Sequence, residues 1–448
     1  MFRIIVNIIV ISVFGFTVSA QDDADFRQVD IRTYQYYMAE QWDSLIRLGE
    51  PAIKNGVDYY YLRMRLGIAR YENRNYIKSI RHFRQALEFN SGDPVALEYL
   101  YYAYLLSGKS RQAQLLTGRF SEKLKNKTGI KPKPVEKIDV NIFYSKSGSD
   151  DIVQNSSEYF PTDLIGYQVV TKYYSNFNCF FEHYLGSRFS LQHSYTFLNK
   201  ENFNYLNNGI NIIKNPGISV KQHQYYIAFN TAFAGGWNLT PFTHIVRTSY
   251  PLLTSITQGG PGRPPSTQYT GQDETSLLAG LMLTKSVGPV DLRLYGHGSG
   301  LNKKKQAQGA GGFTWFPFGN LDLYIGSDLV VLSHLNDSAR ETKPVVNGMI
   351  GLSLAGKIWF EFSLAAGEMH NYAERNGYLV FNSTDYLEQK YDVNISVPVT
   401  EKGSLIYAGA RFSVHASYLT SIIEPELTKL NKLTYNSLSF YGGVSWKF

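Results

Sequence analysis

From about residue 138 to Phe448 the chain is divided into segments of period two, joined by connections that are alternately short and long. Reading back from Phe448, the short connections fall at 400–403, 356–357, 318–320, 287–289, 235–236 and 186–187. The long ones fall near 420–431, 372–385, 335–344, 301–306, 254–274, 199–217 and 146–163. A soluble sandwich has no physical reason to sort its loops by length. A barrel in a membrane does, because it carries tight turns at one rim and long loops at the other. The expectation is therefore a multidomain chain whose region 138–448 is an antiparallel transmembrane β-barrel of about 14 strands, with both barrel ends on the short-turn side.

The two faces of each segment differ. Ile358, Phe360, Phe362 and Leu364 alternate with Trp359, Glu361 and Ser363; Ala410, Phe412 and Val414 alternate with Arg411, Ser413 and His415. The polar parity gives the lumen-lining candidates Lys172, Glu182, Asp291, Arg293, Asp322, Asp328, Glu361 and Arg411. Their mixed sign argues against a single-charge selectivity ring. Trp237, Trp315, Trp359 and Trp446 each lie near a short connection or the C-terminus, as an aromatic girdle at one membrane face requires. In lipid every backbone polar group must pair internally, so the last strand is expected to close against the first. The terminal run with Phe440, Val444, Trp446 and Phe448 on one parity resembles the C-terminal signal read by the barrel-assembly machinery of Gram-negative outer membranes. That resemblance implies outer-membrane lipid and the assembly machinery as partners.

The first 20 residues, with Arg3, an apolar core and a small-residue exit at Ser19-Ala20, read as a secretory signal peptide. Beyond it there is no run of 18 apolar residues, so no helix is expected to cross a membrane. The single cysteine, Cys179, leaves stability to packing and hydrogen bonding. The net charge of +7 is dispersed, and no nucleic-acid partner is expected.

Residues 21–130 read instead as periplasmic helices that repeat. In the unit 62–93, Leu66, Gly67, Tyr76, Ser79, Phe83 and Ala86 occupy the Leu-Gly, aromatic, small, aromatic and Ala positions of a tetratricopeptide repeat. Trp42 and Ala52 stand one period before; Leu100, Tyr104, Gly108 and Ala113 stand one period after. The region resembles a tetratricopeptide array of about three units. It departs from that pattern at Arg63, Arg70 and Ser91. Residues 131–137 follow as a basic Pro/Lys linker. They form either a solvated connection or a collar against anionic headgroups.

For chemistry, His297 and Ser299 resemble the His-x-Ser pair of the outer-membrane phospholipase family. Parity puts both on the lumen face, away from lipid, and Gly300-Leu301 stands where that motif continues Asn-Gly. The other histidines show no metal spacing, and 257–268 reads as an exposed loop rather than a phosphate cradle. Catalytic, cofactor-binding and metal residues are therefore expected to be none. The combination of a helical array and a barrel resembles YaiO-like outer-membrane proteins and, in architecture, exopolysaccharide-export proteins. The resemblance implies a transport or export pore for a polymer or solute. Its alternative is a non-conducting structural or assembly barrel whose repeats dock a periplasmic protein partner.

Overall fold

The computed structural model describes residues 21–130, 134–257, 266–335, 340–354, 356–374, 377–400, 403–423 and 429–448. The signal peptide expected at 1–20, and positions 131–133 of the linker, lie outside the described residues.

The N-terminal region is all helix: α1 (Gln21–Met38), α2 (Trp42–Lys54), α3 (Tyr60–Glu72), α4 (Tyr76–Phe89), α5 (Pro94–Leu106), α6 (Ser110–Leu116) and α7 (Glu122–Lys127). Two starts are capped by their own sequence. The Asn75 side chain accepts from the Lys78 N–H, and Asp93 accepts from Ala96 N–H at 2.7 Å with Pro94 in the first turn. The close approach of α3 to α4 needs a residue without a side chain. A Cβ on Gly67 would stand 2.6 Å from the Phe83 ring, and the Ser79 hydroxyl donates to the Gly67 carbonyl at 2.9 Å. Arg63, at a position where an apolar residue is expected, is buried but not unpaired. Its guanidinium pairs with Asp58 and donates to Gln85.

Fourteen strands follow: β1 (Lys137–Ser147), β2 (Gly166–Leu185), β3 (Phe189–Asn207), β4 (Ile212–Phe233), β5 (Trp237–Thr257), β6 (Ser266–Val287) and β7 (Val290–Ser299). The remainder are β8 (Gln306–Trp315), β9 (Leu323–Leu335), β10 (Arg340–Leu354), β11 (Ile358–Met369), β12 (Tyr386–Pro398), β13 (Leu405–Tyr418) and β14 (Lys432–Lys447). Each pairs antiparallel with its neighbours, and β1 pairs with both β2 and β14, so the sheet is a closed barrel. The seam runs from Lys137 opposite Lys447 to Ser147 opposite Ser437, and the Phe448 N–H donates to the Glu136 carbonyl at 3.0 Å. The expected short turns are where the barrel reverses at its periplasmic rim. Gly235 and Gly236 make one of them at φ of 73° and 84°.

Large apolar side chains stand on the outside of the wall. Ile142, Leu294 and Phe440 are 65, 62 and 59% exposed in the isolated chain, an arrangement that only lipid can cover. Inward positions such as Ser190, Gln222, Gln308 and Lys390 are buried and polar. This closed barrel with its apolar belt and polar interior is an outer-membrane architecture, and its helical domain lies on the periplasmic side.

Three expectations are corrected. The stretches 199–217 and 254–274 are not loops for most of their length. The ladder continues to Asn207 and Ile212, and to Thr257 and Ser266. Backbone pairing persists there, and on β3 Phe203 and Tyr205 are buried against Phe160 and Val170. The wall β2–β6 consequently uses strands of 19 to 22 residues, against 10 in β7 and β8. At ~3.3 Å per residue the longest spans ~70 Å along its axis, far beyond a hydrocarbon core of ~30 Å. Second, Trp359 does not join the outer girdle. It shares the face of Glu361 and Ser363, which line the lumen, and lies opposite Ser353 and Ser396. Trp237, Trp315 and Trp446 do point outward, each more than two-fifths exposed. The third correction concerns 372–385 and defines the site.

Candidate functional site

The connection from β11 to β12 was expected outside the barrel. It folds into the lumen as a hairpin whose arms, Tyr372–Glu374 and Leu379–Phe381, pair with each other and with no barrel strand. The arms are only three residues long, too short to signal a strand in the sequence. Their stability comes from side chains of the wall. Tyr372 and Ala373 are fully buried.

Bonds to this hairpin come from around the circumference. Gln308 on β8 donates to the Ala373 carbonyl at 2.6 Å and accepts from the Ala373 N–H at 3.3 Å, so its amide imitates a ladder partner. Asn347 on β10 meets the Tyr372 hydroxyl, and Tyr378 donates to Asn178 on β2 at 2.9 Å. Gln222 on β4 donates to the Asn382 carbonyl, and Lys200 on β3 donates to Ser383 at 2.7 Å. His244 on β5 reaches the Gly377 carbonyl, and buried Lys390 on β12 pairs with Glu374. These inward side chains thus meet hairpin backbone or side chains, which offsets part of the cost of a buried polar interior.

A second closure lies at the periplasmic rim. The α5–α6 turn enters the barrel mouth. Lys109 reaches inward-facing Asp291 at 2.7 Å, and Arg111 reaches inward-facing Glu182 at 2.6 Å and Ser190. Arg74 pairs with Asp322 at 2.8 Å, and Gly319 accepts the Ile77 N–H. Gly108 sits at φ 77° against Leu321, where a Cβ would come within 2.9 Å of that side chain.

These contacts place the lumen candidates individually. Asp291 and Glu182 bind the helical domain, and Arg293 pairs with Asp328 at 2.9 Å across β7 and β9. Glu361 accepts from Tyr324 at 2.6 Å, and Arg411 donates to Asp392 at 2.6 Å. Two candidates sit elsewhere. Asp322 lies in the turn before β9 rather than on a strand. Lys172 occupies a bulge between Thr171 and Tyr173 and pairs with Glu201, on the face opposite lumen-lining Lys200. A two-residue parity has no means of anticipating a bulge.

His297 and Ser299 do not form a catalytic pair. Neither imidazole nitrogen nor the Ser299 hydroxyl has a hydrogen-bond partner among the described residues, and the His297 ring packs near Phe242. A constellation that the sequence reading missed is Ser437–His415–Asp385. His415 Nε2 lies 2.9 Å from the Ser437 hydroxyl, and its Nδ1 lies 3.5 Å from Asp385. It resembles a serine–histidine–carboxylate relay but lacks the rest of one. The backbone at Ser437 pairs with Ser413 on one side and Ser147 on the other, so no N–H pair is free to cradle an oxyanion. Asp385 instead also accepts from Tyr435 and Ser383, which fastens the foot of the hairpin to β14.

Between the hairpin and the wall formed by β1–β4 and β11–β14 lies a cavity of about 570 Å³. Its lining alternates amides, including Asn141, Asn178 and Gln224, with rings, including Phe143, Tyr226 and Tyr441. No cluster of three or more metal-ligating side chains occurs among the described residues.

Together these features define an outer-membrane β-barrel with a periplasmic helical domain and a lumen occupied by its own loop. No family model matches the chain, and no curated protein matches it. Among solved structures it is similar to the Pseudomonas putida toluene transporter TodX, at 8% identity over 70% of this chain and 90% of that one, with a TM-score of 0.45. It is also similar to a Pseudomonas aeruginosa FadL homologue, at 10% identity over 69% and 89% with a TM-score of 0.40. For the Ralstonia pickettii toluene transporter TbuX the values are 9%, 70% and 90%, with a TM-score of 0.39. The fold assignment rests on this chain's own strand register.

Proposed function

We propose that this protein is a gated outer-membrane transport barrel for a polar solute or polymer, with the 370–385 connection as its gate. The observation that carries the reading is the hairpin itself. It is held by side-chain hydrogen bonds to many strands, not by a ladder with any one of them. Such contacts are individually worth about 1 kcal/mol and break one at a time, as a movable element requires. The off-centre cavity beside the hairpin is then a partial path. A polymer passing through needs the hairpin to leave and the α5–α6 turn to lift from Asp291 and Glu182.

In this reading the helices are a tetratricopeptide-type array. Their starts recur at a period of about 34 residues, with Trp42, Tyr76 and Ser110 opening α2, α4 and α6. The array docks on the barrel and regulates its periplasmic mouth. A second reading is a non-conducting assembly barrel whose array binds a periplasmic protein. The observation favouring it is the apolar surface of Tyr34, Met38 and Tyr61, half or more exposed and unused in barrel docking. Liposome swelling separates the two. A transport barrel lacking residues 372–381 admits small neutral solutes faster than the intact protein; an assembly barrel gives no swelling in either form.

A further inference from the structure

We infer that the lumen cavity beside the hairpin is a binding site for a neutral oligosaccharide of about two or three sugar units. The inference rests on the transport reading above and specifies what the barrel recognises. Three features of the wall lead to it.

The first is the pairing of amides with ring faces. A sugar hydroxyl both donates and accepts, and a side-chain amide offers both functions within one plane. A pyranose also presents a face of C–H groups that packs on aromatic rings. The cavity combines the two chemistries at about 570 Å³, within the ~300–1,000 Å³ range of small-molecule sites.

The second is that rings are laid flat on the wall by glycines. A Cβ on Gly409 would stand 2.3 Å from the Tyr441 ring, and one on Gly443 would stand 2.6 Å from the Tyr407 hydroxyl. Phe143 stacks parallel to Tyr441 at 6.0 Å and to Tyr174 at 5.1 Å. The seam strands thereby offer a continuous aromatic platform, with Arg411 over Phe143 at 5.2 Å.

The third is what the polar atoms already hold. Two charged groups on this wall already have partners within the protein: Arg411 pairs with Asp392, and Asp139 accepts from the Tyr407 hydroxyl at 2.7 Å. A charged ligand drawn to either of them would have to displace its partner. By contrast, Asn382, on the hairpin, and Asn394, on β12, line the cavity, and neither side-chain oxygen accepts a hydrogen bond among the described residues. Buried acceptors are rarely left so. Amides on the hairpin and on β12 suit a ligand that carries several hydroxyl groups.

Saturation-transfer NMR on the full-length protein in detergent tests this without requiring flux. The probes are maltotriose, mannotriose and cellotriose, with laurate and triglycine as controls. The expected result is saturation of ring protons of at least one trisaccharide, weakened at least fivefold by Asn394→Leu and by Tyr441→Leu. Asn394→Leu keeps the aromatic platform, so a folding defect at Tyr441 does not decide the outcome; heat-modifiable migration checks both variants. Saturation confined to laurate or triglycine, or a sugar signal unchanged in both variants, overturns the inference. Because swelling reads flux and NMR reads contact, loss of sugar binding with intact solute flux removes this inference alone. Absence of flux with sugar contact removes the transport reading alone.

Discussion

Nδ1 of His244 lies 2.6 Å from the carbonyl oxygen of Gly377, at the innermost turn of the hairpin. A carbonyl only accepts, so the imidazole carries its proton on Nδ1 and donates. This bond ties the hairpin tip to β5, far around the wall from its roots on β11 and β12. His244→Ala removes one such tie and is expected to destabilise the docked hairpin by about 1 kcal/mol, roughly a fivefold gain in the undocked population. A spin label on Leu379→Cys, in a Cys179→Ser background, reads this as a larger mobile fraction in the His244→Ala protein.

Lys390 and Glu374 make the buried ion pair between β12 and the hairpin arm. Replacing one member of a buried pair costs about 3–5 kcal/mol, whereas replacing both by apolar residues of similar size is often neutral. Lys390→Met is therefore expected to free the hairpin, with faster limited proteolysis inside 372–381. Lys390→Met with Glu374→Leu is expected to recover most of the protection. Equal proteolysis of the single and double variants would show that the pair does not hold the hairpin.

At the periplasmic mouth, the Lys109 side chain is nearly buried and bonded to Asp291, with its ammonium 5.7 Å from the centre of the Phe316 ring. Lys109→Met is expected to loosen the α5–α6 turn by about 2 kcal/mol. Hydrogen exchange over 104–118 should then accelerate by more than tenfold, while exchange in β7 barely changes. Because the pair is shielded, raising salt in the unmodified protein is expected to change this exchange little.

In the helical domain, His82 on α4 is buried beside Arg63 of α3 and Glu50 of α2, and burial holds its pKa below the ordinary 6.5. The unfolded chain therefore binds a proton that the folded one refuses, and stability falls as pH drops below about 6.5. Glu50 works over a lower window. His82 and Arg70 bring its carboxyl from 4.5 down to about 2, so its contribution is present above 4.5 and is lost toward pH 2. Opening free energies for 62–89, from hydrogen exchange of the full-length protein, should decline between pH 7 and 5. His82→Asn should flatten that decline.

Much of this architecture was legible because lipid enforces simple rules. Parity alone placed Phe412, Phe440 and Trp446 outside and Arg411 and Ser413 inside, and glycine-bearing turns marked the short rim. Gly67 and Phe83 were legible as repeat positions, and their contact is what the structure adds. What escaped depends on partners remote in sequence. Gln222 and Asn382 lie 160 residues apart, and Gln168 bonds Asn431 across 263, so no local pattern shows that a polar loop will turn inward. The Lys172 bulge breaks parity from within. Trp359 misled for a different reason: its distance from a short turn suggested the girdle, while its own parity with Glu361 already placed it inside.

The most direct test of the gate is single-channel recording in a planar bilayer, comparing the intact protein with one whose residues 372–381 are replaced by a Gly/Ser linker of equal length. A gated barrel gives a small or intermittent conductance when intact and a larger, steady one once the hairpin is removed. Equal conductance from the two proteins, or none from either in correctly folded barrels, would contradict it.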